Sequence, residues 1–272
     1  MVDISDDQII SLALVTCLLI ISKARDMLDN GGIVAATTVG LTVSLAGHWT
    51  WLVILMSFLA LGSSATKWKF EEKMVLSLAE ANEGLRGWRN VLANGTAPMA
   101  VSIIHWQLPG TGWDYLALSS CVAVACSDTL ASEIGSLDTR TRSIINLQAV
   151  PQGTNGGMSP TGTLAAVAGA LSIALVSAFL ASQQEYEIPL VTLILVVSTI
   201  GWLGCPIDSL WGALLETDGY VGKHTVNLLA TSSGAVLAVL FTNQFLSELL
   251  AVGFEHHPLQ RGPCLMACPA LG

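Results

Sequence analysis

Residues 161–182 read TGTLAAVAGALSIALVSAFLAS, an uninterrupted run without a charged side chain. A helix needs about 20 residues to cross the hydrocarbon core of a bilayer, so this run is long enough to span a membrane. Its small residues, among them Gly162, Ala166 and Gly169, would let neighbouring helices approach closely. The run therefore predicts a transmembrane helix that packs inside a bundle.

The rest of the chain has the same character. Of its 272 residues, 52% are hydrophobic and only 11% are charged, against about 25% in an average soluble domain. This composition excludes a soluble globule and a disordered chain, and the net charge of −9 excludes a polybasic nucleic-acid-binding surface. We expect an all-α fold, a polytopic membrane helix bundle of about eight transmembrane helices. The predicted spans are approximately 7–22, 31–47, 49–65, 93–108, 113–127, 161–182, 187–205 and 225–251.

The distribution of Lys and Arg predicts the orientation of these spans. Cytoplasmic loops of membrane proteins carry an excess of basic residues. With the amino terminus outside, ten of the eleven basic residues fall in inside segments, and only Arg261 falls outside. We therefore predict one membrane domain over residues 1–251, with motif loops at the cytosolic face, and a tail over 252–272. The acidic start predicts no cleavable signal or transit peptide, so we expect an endomembrane such as the endoplasmic reticulum.

Acidic residues recur at the inner ends of two predicted spans. Asp128 and Glu133 follow the fifth span, and Asp208 with Ser209 follows the seventh. Two carboxylates from different helices at one membrane face are what a divalent cation such as Mg²⁺ needs. The alternative for the first motif is a helix cap at Ser127 or Asp128, with Glu133 in solvent. The residues alone leave both interpretations open.

Two further polar segments carry candidate phosphate-binding residues. Gly153, Thr154, Asn155, Gly156 and Gly157 directly precede the sixth span, where backbone N–H groups before a helix start could bind phosphate; the alternative is an ordinary turn. Basic side chains follow the third span, and they either bind phosphates or mark the cytoplasmic side. Asn227, inside the last span, needs a polar partner. The basic candidates are Lys67, Lys69, Arg86 and Arg89.

In this order, the motifs resemble the eukaryotic transmembrane protein 19 family, which is itself similar to the plant phytyl-phosphate kinase of tocopherol synthesis. A looser similarity extends to CTP-dependent polyprenol kinases and CDP-diacylglycerol synthases. The chain departs from the family at 222–225, where GKHT replaces an expected Asp-Asn-Asn-like run. The motifs are Thr66–Lys69 with Lys73, Arg89–Val91 with Asn94, Asp128–Gly135, Pro151–Gly157, Asp208–Ala213 and Val226–Leu228.

The resemblance implies a membrane-embedded kinase. It would transfer a phosphoryl group from a nucleoside triphosphate, with CTP expected, to an isoprenoid or alkyl monophosphate such as phytyl phosphate. Asp128, Glu133 and Asp208 would act as the catalytic and Mg²⁺-binding residues. The glycine-rich segment, the four basic residues, Ser209 and Asn227 would bind substrate. A membrane transporter and a non-catalytic membrane protein of the same fold are the alternatives.

Overall fold

The protein, seen here in a computed structural model, is a bundle of helices. The structure describes residues 5–80, 82–108, 113–183, 186, 188–217 and 219–255, without the side chains of Asn82 and 245–255. Most of the predicted tail over 252–272 therefore lies outside the described residues. The helices are α1 Asp6–Ala24, α2 Asn30–Ala46, α3 Trp49–Lys67, α4 Phe70–Val75, α5 Trp88–Gln107, α6 Asp114–Gly135, α7 Pro160–Ala181, α8 Leu190–Trp211 and α9 Lys223–Glu255.

Every predicted span corresponds to one of the long helices. Within the part of the chain that the structure describes, six helices are long and apolar enough to cross a membrane, namely α1, α3, α6, α7, α8 with its continuation, and α9. Helix α2 is apolar but only 17 residues long. Helix α5 has 20 residues but contains Pro98 and several polar side chains. The fold class is confirmed, and eight is an approximate number of spans.

Helix α6 forms the centre of the bundle. Its side chains are buried along most of its length, and α3, α7, α8 and α9 all pack against it. The neighbours approach through glycines: a Cβ on Gly169 would lie 3.0 Å from the Cys126 carbonyl oxygen, and one on Gly201 would lie 2.7 Å from the Cβ of Ala123. Backbones this close favour association between helices in lipid. The small residues of α7 are thus packing residues, as the sequence predicts.

The fifth span is longer than predicted. Helix α6 runs on from Ser127 to Gly135 without a break, and α8 continues through Asp208 to Trp211. The acidic motifs are therefore helical and do not lie in loops. A helix cap at Ser127 or Asp128 is excluded, because a cap residue stands at the start of a helix and both lie well inside α6.

The predicted inside segments meet at one end of the bundle. Lys67 Nζ donates to the carbonyl oxygen of Arg25, and the backbones of Leu28 and Arg86 pair as a short bridge. A two-stranded hairpin, β1 Arg142–Ser143 with β2 Gly157–Met158, covers the same end. A π-helical turn over Gly212–Glu216 continues α8 beside it. This end of the bundle, called the loop face below, carries nearly all the polar residues selected from the sequence.

Candidate functional site

Two carboxylates from different helices meet beneath the loop face. Asp128 lies two turns before the end of α6 and Asp208 in the last turn of α8, and their side chains lie within hydrogen-bonding reach of each other. The Oδ1 atom of Asp208 is buried and has no hydrogen-bond partner among the described residues. Two carboxylates at this separation repel each other unless they share a proton or a cation. The pair is therefore an incomplete arrangement that a positive ligand would complete.

The donor set of this pair fits Mg²⁺. Mg²⁺ prefers oxygen ligands and is commonly held by one or two carboxylates together with substrate phosphates. Asp128 and Asp208 supply such oxygens, and the unpartnered Oδ1 is a ligand position that the protein itself does not fill. No group of three or more His, Cys, Asp or Glu side chains suited to a metal occurs within the described part of the chain. Further ligands would have to come from substrate phosphates or water.

Glu133 does not belong to this pair. Its Oε2 accepts a hydrogen bond of 2.6 Å from Lys73 Nζ, and its Oε1 accepts one of 2.8 Å from the Thr66 hydroxyl. Lys73 and Glu133 are only 1% and 7% exposed. One carboxylate oxygen is thus engaged in a buried ion pair between α4 and α6, and the other in a hydrogen bond from α3. The structure does not bring Glu133 to the two aspartates, in contrast to the prediction of three metal ligands.

The glycine-rich segment lies against α8 beside Asp208. Gly153 and Gly156 adopt positive φ values of 74° and 72°, which glycine accepts without strain. A Cβ on Gly156 would lie 2.5 Å from the Cβ of Ala213 and 3.0 Å from the Ser209 carbonyl oxygen. The segment therefore needs glycine to approach the end of α8 closely. This contact brings the backbone of the segment next to the carboxylate pair.

Only part of this segment is free to bind phosphate through its amides. The N–H of Thr154 donates to the Pro151 carbonyl and the N–H of Gly157 to the Thr154 carbonyl, both within the turn. The segment also does not lead directly into a helix, because β2 and the cap residue Ser159 come between it and α7. The predicted row of free amides is thus reduced in number and displaced from the helix start.

A carboxylate of the protein itself already lies at the start of α7. Ser159 accepts a hydrogen bond from the Gly162 N–H, and Asp138 accepts from the Thr161 N–H and hydroxyl at 3.2 and 2.9 Å. Arg140 donates to both oxygens of Asp138 at 2.9 Å. These hydrogen bonds hold the pKa of the Asp138 carboxyl well below its usual range. The first amides of α7 are therefore engaged by Asp138 and Ser159, and phosphate binding by residues 153–157 stays a prediction.

This geometry predicts a pH-dependent effect of Asp138→Asn. A carboxyl with a depressed pKa stabilises the folded state above its unfolded pKa of about 3.9, and this contribution disappears as the pH falls through the folded value. We expect a lower Tm of the variant at pH 7 and a difference from wild type that shrinks progressively below about pH 4. Thermal unfolding in detergent between pH 7 and pH 3 measures this. The exposed Glu72→Gln serves as control, and a pH-independent difference would contradict the assignment.

The basic candidates separate into two pairs. Arg86 and Arg89 line a polar cavity above α6. Lys67 donates to the Arg25 carbonyl, and Lys69 forms an exposed 2.9 Å ion pair with Glu72. Neither lysine lines a cavity that contains the aspartates. The structure therefore retains the two arginines as candidate phosphate ligands and places the two lysines outside the site.

Arg86 is a buried cation. It is 8% exposed, and its guanidinium lies 5.4 Å from the centroid of the Phe58 ring and packs against Gly62. Burial lowers the pKa of Arg86, although Glu133 and Glu80 act in the opposite direction. Arginine nonetheless stays charged in proteins, so burial makes its positive charge costly unless an anion is near. Arg86 is thus well suited to receive an anionic ligand.

Lys223, which begins α9, is a site residue that the sequence did not single out. Its Nζ forms a 2.7 Å ion pair with Glu80, and its charge acts on Asp128 and Asp208 as well. Burial disfavours the charged form of Glu80, but Lys223 holds the pKa of Glu80 below its usual value. Lys223 occupies the segment where the resemblance led us to expect acids. Its signals in the sequence were its position among the basic residues of the inside segments and in the divergent segment 222–225.

Two polar cavities of about 330 and 340 Å³ meet at Asp128, and Asp208 lines the first of them. Both volumes lie in the range of ligand-binding pockets, about 300–1,000 Å³. The first, called the glycine cavity, is bounded by the glycine-rich segment, Asp208 and Ser209. The second, called the arginine cavity, is bounded by Arg86, Arg89 and Glu133. Residues that line both cavities are Asp128, Ser132, Lys223 and Asn227.

Comparison with known proteins identifies the family of this chain. The family described as "Integral membrane protein DUF92" matches residues 13–247. The chain belongs to the DUF92 family. The match includes every residue of the two cavities. No solved structure matches this chain.

Relatives of this DUF92 chain include proteins of an archaeon and a plant. It is 32% identical over 232 residues to "Uncharacterized membrane protein MJ0933" of Methanocaldococcus jannaschii, covering 85% of this chain and 92% of the relative. It is 28% identical to "Protein VTE6, chloroplastic" of Arabidopsis thaliana, covering 81% and 67%. It is 27% identical to "Protein PGR" of the same plant, covering 85% and 91%. These relatives give no support to an endoplasmic reticulum location.

Proposed function

We propose that this DUF92 protein is a membrane-embedded kinase that transfers a phosphoryl group from a nucleoside triphosphate to an isoprenoid or alkyl monophosphate. The observation that carries the proposal is the carboxylate pair Asp128–Asp208, in which Asp128 lies at the junction of two polar cavities and Asp208 lines the glycine cavity. Phosphoryl transfer depends mainly on positioning two phosphate groups and neutralising their charge. Two cavities that share Asp128 and Lys223 could hold the two phosphate groups close together and offset their charge.

The glycine cavity would hold the donor triphosphate. Its wall of glycine backbone allows close approach of phosphates, and Ser209 and Thr154 add hydroxyl groups. Asp128 and Asp208 would hold Mg²⁺, which neutralises the charge on the transferring phosphate. Lys223 adds a positive charge at the same point. We take CTP as the donor because of the resemblance to CTP-dependent polyprenol kinases.

The reaction balances without a protein base. An oxygen of the acceptor phosphate forms a bond to the γ-phosphorus of the donor, and the bond between that phosphorus and the β,γ-bridging oxygen breaks. The nucleoside diphosphate leaves with the electron pair, and the lipid diphosphate remains. Since the acceptor oxygen is already anionic, no proton has to be removed from it. Arg86 and Arg89 would bind the acceptor phosphate and offset its charge.

The relatives support the class of activity. The plant relative VTE6 matches over most of this chain, and the motif order resembles that of phytyl-phosphate kinase. The position of the acids argues against a transporter, whose coupling residues lie near the membrane midplane. Asp128 and Asp208 instead lie towards the loop face, which the basic residues predict to be cytosolic.

Nucleotide binding tests the proposal directly. The binding of CTP, ATP and GTP, each with Mg²⁺, is measured on purified full-length protein in detergent, for wild type and for Asp208→Asn. We expect saturable Mg²⁺-dependent binding that Asp208→Asn abolishes and that the distant Glu72→Gln leaves unchanged. A folded wild type that binds none of the three nucleotides would refute the kinase, and a transporter or a non-catalytic protein would replace it.

A glycine substitution tests the placement of the donor. Gly156→Ala adds a methyl group that collides with Ala213, whereas Gly219→Ala adds one at a similar φ of 75° with no atom within 4 Å. Both variants carry the same backbone strain, of about 1–2 kcal/mol. We expect only Gly156→Ala to weaken MgCTP binding, by about tenfold or more. Equal affinities of the two variants, measured by titration calorimetry, would place the donor elsewhere.

A further inference from the structure

Arg86 is an unpaired cation within the part of the chain that the structure describes. Its guanidinium makes neither an ion pair nor a hydrogen bond with any described residue. A buried charge is normally paired, because taking it out of water is costly. The cavity that Arg86 lines is nevertheless rich in carboxylates. Those of the described residues belong to Asp29, Glu80, Asp128 and Glu133.

The two glutamates of this cavity are each bound to a lysine. Glu133 and Glu80 are the acids whose charges favour the charged form of Arg86. Glu133 accepts a hydrogen bond of 2.6 Å from Lys73 Nζ, and Glu80 forms its 2.7 Å ion pair with Lys223. Both glutamates are thus near enough to act on Arg86 electrostatically, yet each is neutralised by another cation.

The two aspartates of the cavity are engaged as well. Asp29 accepts the N–H of Gly32 at 2.6 Å and so caps the start of α2. Asp128 lies within hydrogen-bonding reach of Asp208, and in the proposed function this pair holds Mg²⁺. Among the described residues, no carboxylate of the arginine cavity is therefore left over for Arg86.

Glu133 is close enough to compete for Arg86 if it were released. The guanidinium lies against α3 at Gly62, where a Cβ would be only 2.5 Å from Arg86 Nη2. Glu133 Oε1 lies against the same helix at Thr66, whose hydroxyl donates to it at 2.8 Å. The two positions on α3 are one turn apart, about 6 Å along the helix axis. A rotation of the Glu133 side chain would span much of that distance.

Lys73 holds Glu133 away from Arg86. Its Nζ donates to Glu133 and to the carbonyl oxygens of Ala65 and Thr66, so all three donors of the ammonium are used. These contacts fix a side chain that is only 1% exposed. An ion pair between Glu133 and Arg86 would leave the charge of Lys73 buried without its counter-charge, which is strongly unfavourable.

We propose that Lys73 is a positioning residue for the acceptor, because by holding Glu133 it keeps Arg86 free to bind the acceptor phosphate. This inference rests on the proposed kinase function and names a residue on which its acceptor site depends. Lys73 acts through Glu133 and does not itself touch the substrate. Without Lys73, the carboxylate of Glu133 would take the guanidinium donors that a phosphate needs.

Two variants that break the same ion pair test this role. Lys73→Met releases Glu133, whereas Glu133→Gln removes the competing charge and leaves Arg86 free. We expect Lys73→Met to weaken the binding of a C20 isoprenyl monophosphate by about tenfold or more, and Glu133→Gln to change it by less than about twofold. Titration calorimetry on full-length protein in detergent measures both. The affinity for MgCTP should stay within about twofold of wild type, which also reports folding.

Further variants guard against a folding defect. Lys73→Met with Glu133→Leu leaves no carboxylate to compete, so we expect it to restore binding of the isoprenyl phosphate to within about threefold of wild type. Lys73→Gln keeps an amide near the carbonyls of α3 but carries no charge, and it replaces Lys73→Met if that variant does not fold. Lys69→Met, which breaks an exposed ion pair, is the matched control.

The outcomes separate the role of Lys73 from the kinase. Equal losses of affinity in Lys73→Met and Glu133→Gln would show a purely structural ion pair, and an unchanged affinity in Lys73→Met would show that Glu133 does not compete. Either result would overturn the role and leave the kinase standing. A loss confined to MgCTP would place a donor phosphate on Arg86 and overturn the role. A wild type that binds MgCTP but no isoprenyl phosphate would overturn the acceptor site, and the role of Lys73 with it.

Discussion

Replacing Asp208 with Asn is expected to lower the rate of phosphoryl transfer by at least about 100-fold. Groups that only support a metal ligand cost about 10–100-fold when mutated, and Asp208 would be a ligand itself. Asp128→Asn should have a comparable effect, because the two carboxylates lie within hydrogen-bonding reach of each other and would hold one cation. Transfer to a C20 isoprenyl monophosphate, measured with γ-labelled CTP, is the readout.

The double variant adds a sharper test. Residues that act as a unit are not additive, so Asp128→Asn with Asp208→Asn should be about as slow as either single variant. Glu72→Gln, which removes an exposed carboxylate that lines neither cavity, should keep wild-type activity. Independent effects of the two aspartates that multiply in the double variant would show that they do not share a cation. Retention of full activity by Asp208→Asn would refute the site.

Lys73→Met is expected to be the most destabilising of the single substitutions considered. Lys73 Nζ donates to Glu133 and also to the carbonyl oxygens of Ala65 and Thr66 at 3.1 and 2.7 Å. These carbonyls are near the end of α3, where helix carbonyls lack partners within the helix. Removal of one partner of a buried ion pair costs about 3–5 kcal/mol, because a charge remains buried without compensation. Glu133 would keep only its hydrogen bond from Thr66.

A second substitution separates this explanation from a simple packing defect. Lys73→Met with Glu133→Leu removes both charges, and apolar replacement of a whole buried pair is often neutral or stabilising. We expect the double variant to recover most of the loss in the free energy of unfolding. Lys69→Met breaks only the exposed pair with Glu72 and should change stability by less than about 1 kcal/mol. Reversible unfolding in detergent and SDS mixtures measures all three, and a double variant no more stable than Lys73→Met would contradict the charge explanation.

The predicted fold depended on local properties of the chain, and most of it is confirmed. Hydropathy located every long helix, because the length and apolar character of a span are set by the bilayer and can be read residue by residue. Small residues in 161–182 predicted the close packing that Gly169 makes with α6. The fifth span was predicted too short, because hydropathy falls at Asp128 although the helix continues to Gly135. A buried helix end tolerates polar residues when neighbouring helices surround it.

The site was predicted less completely, because its composition depends on partners distant in the chain. The sequence indicated Asp128, Asp208, Arg86 and Arg89 as candidates but could not show which acids would meet. Glu133 lies only five residues after Asp128, yet a helical step of about 100° per residue directs the two side chains to different neighbours. Lys67 ends α3 and Lys69 follows it closely, but neither lines the two polar cavities.

What the sequence by itself determined is the all-α membrane bundle, its approximate spans and the collection of polar motifs at one end. These follow from periodicity, hydropathy and charge, which act over a few residues at a time. Only the tertiary structure decided that Asp128 pairs with Asp208, that Glu133 pairs with Lys73, and that Lys223 joins the site. The physical reason is that a buried charge takes its partner from whichever helix packs beside it, and helix neighbours are chosen by the whole bundle.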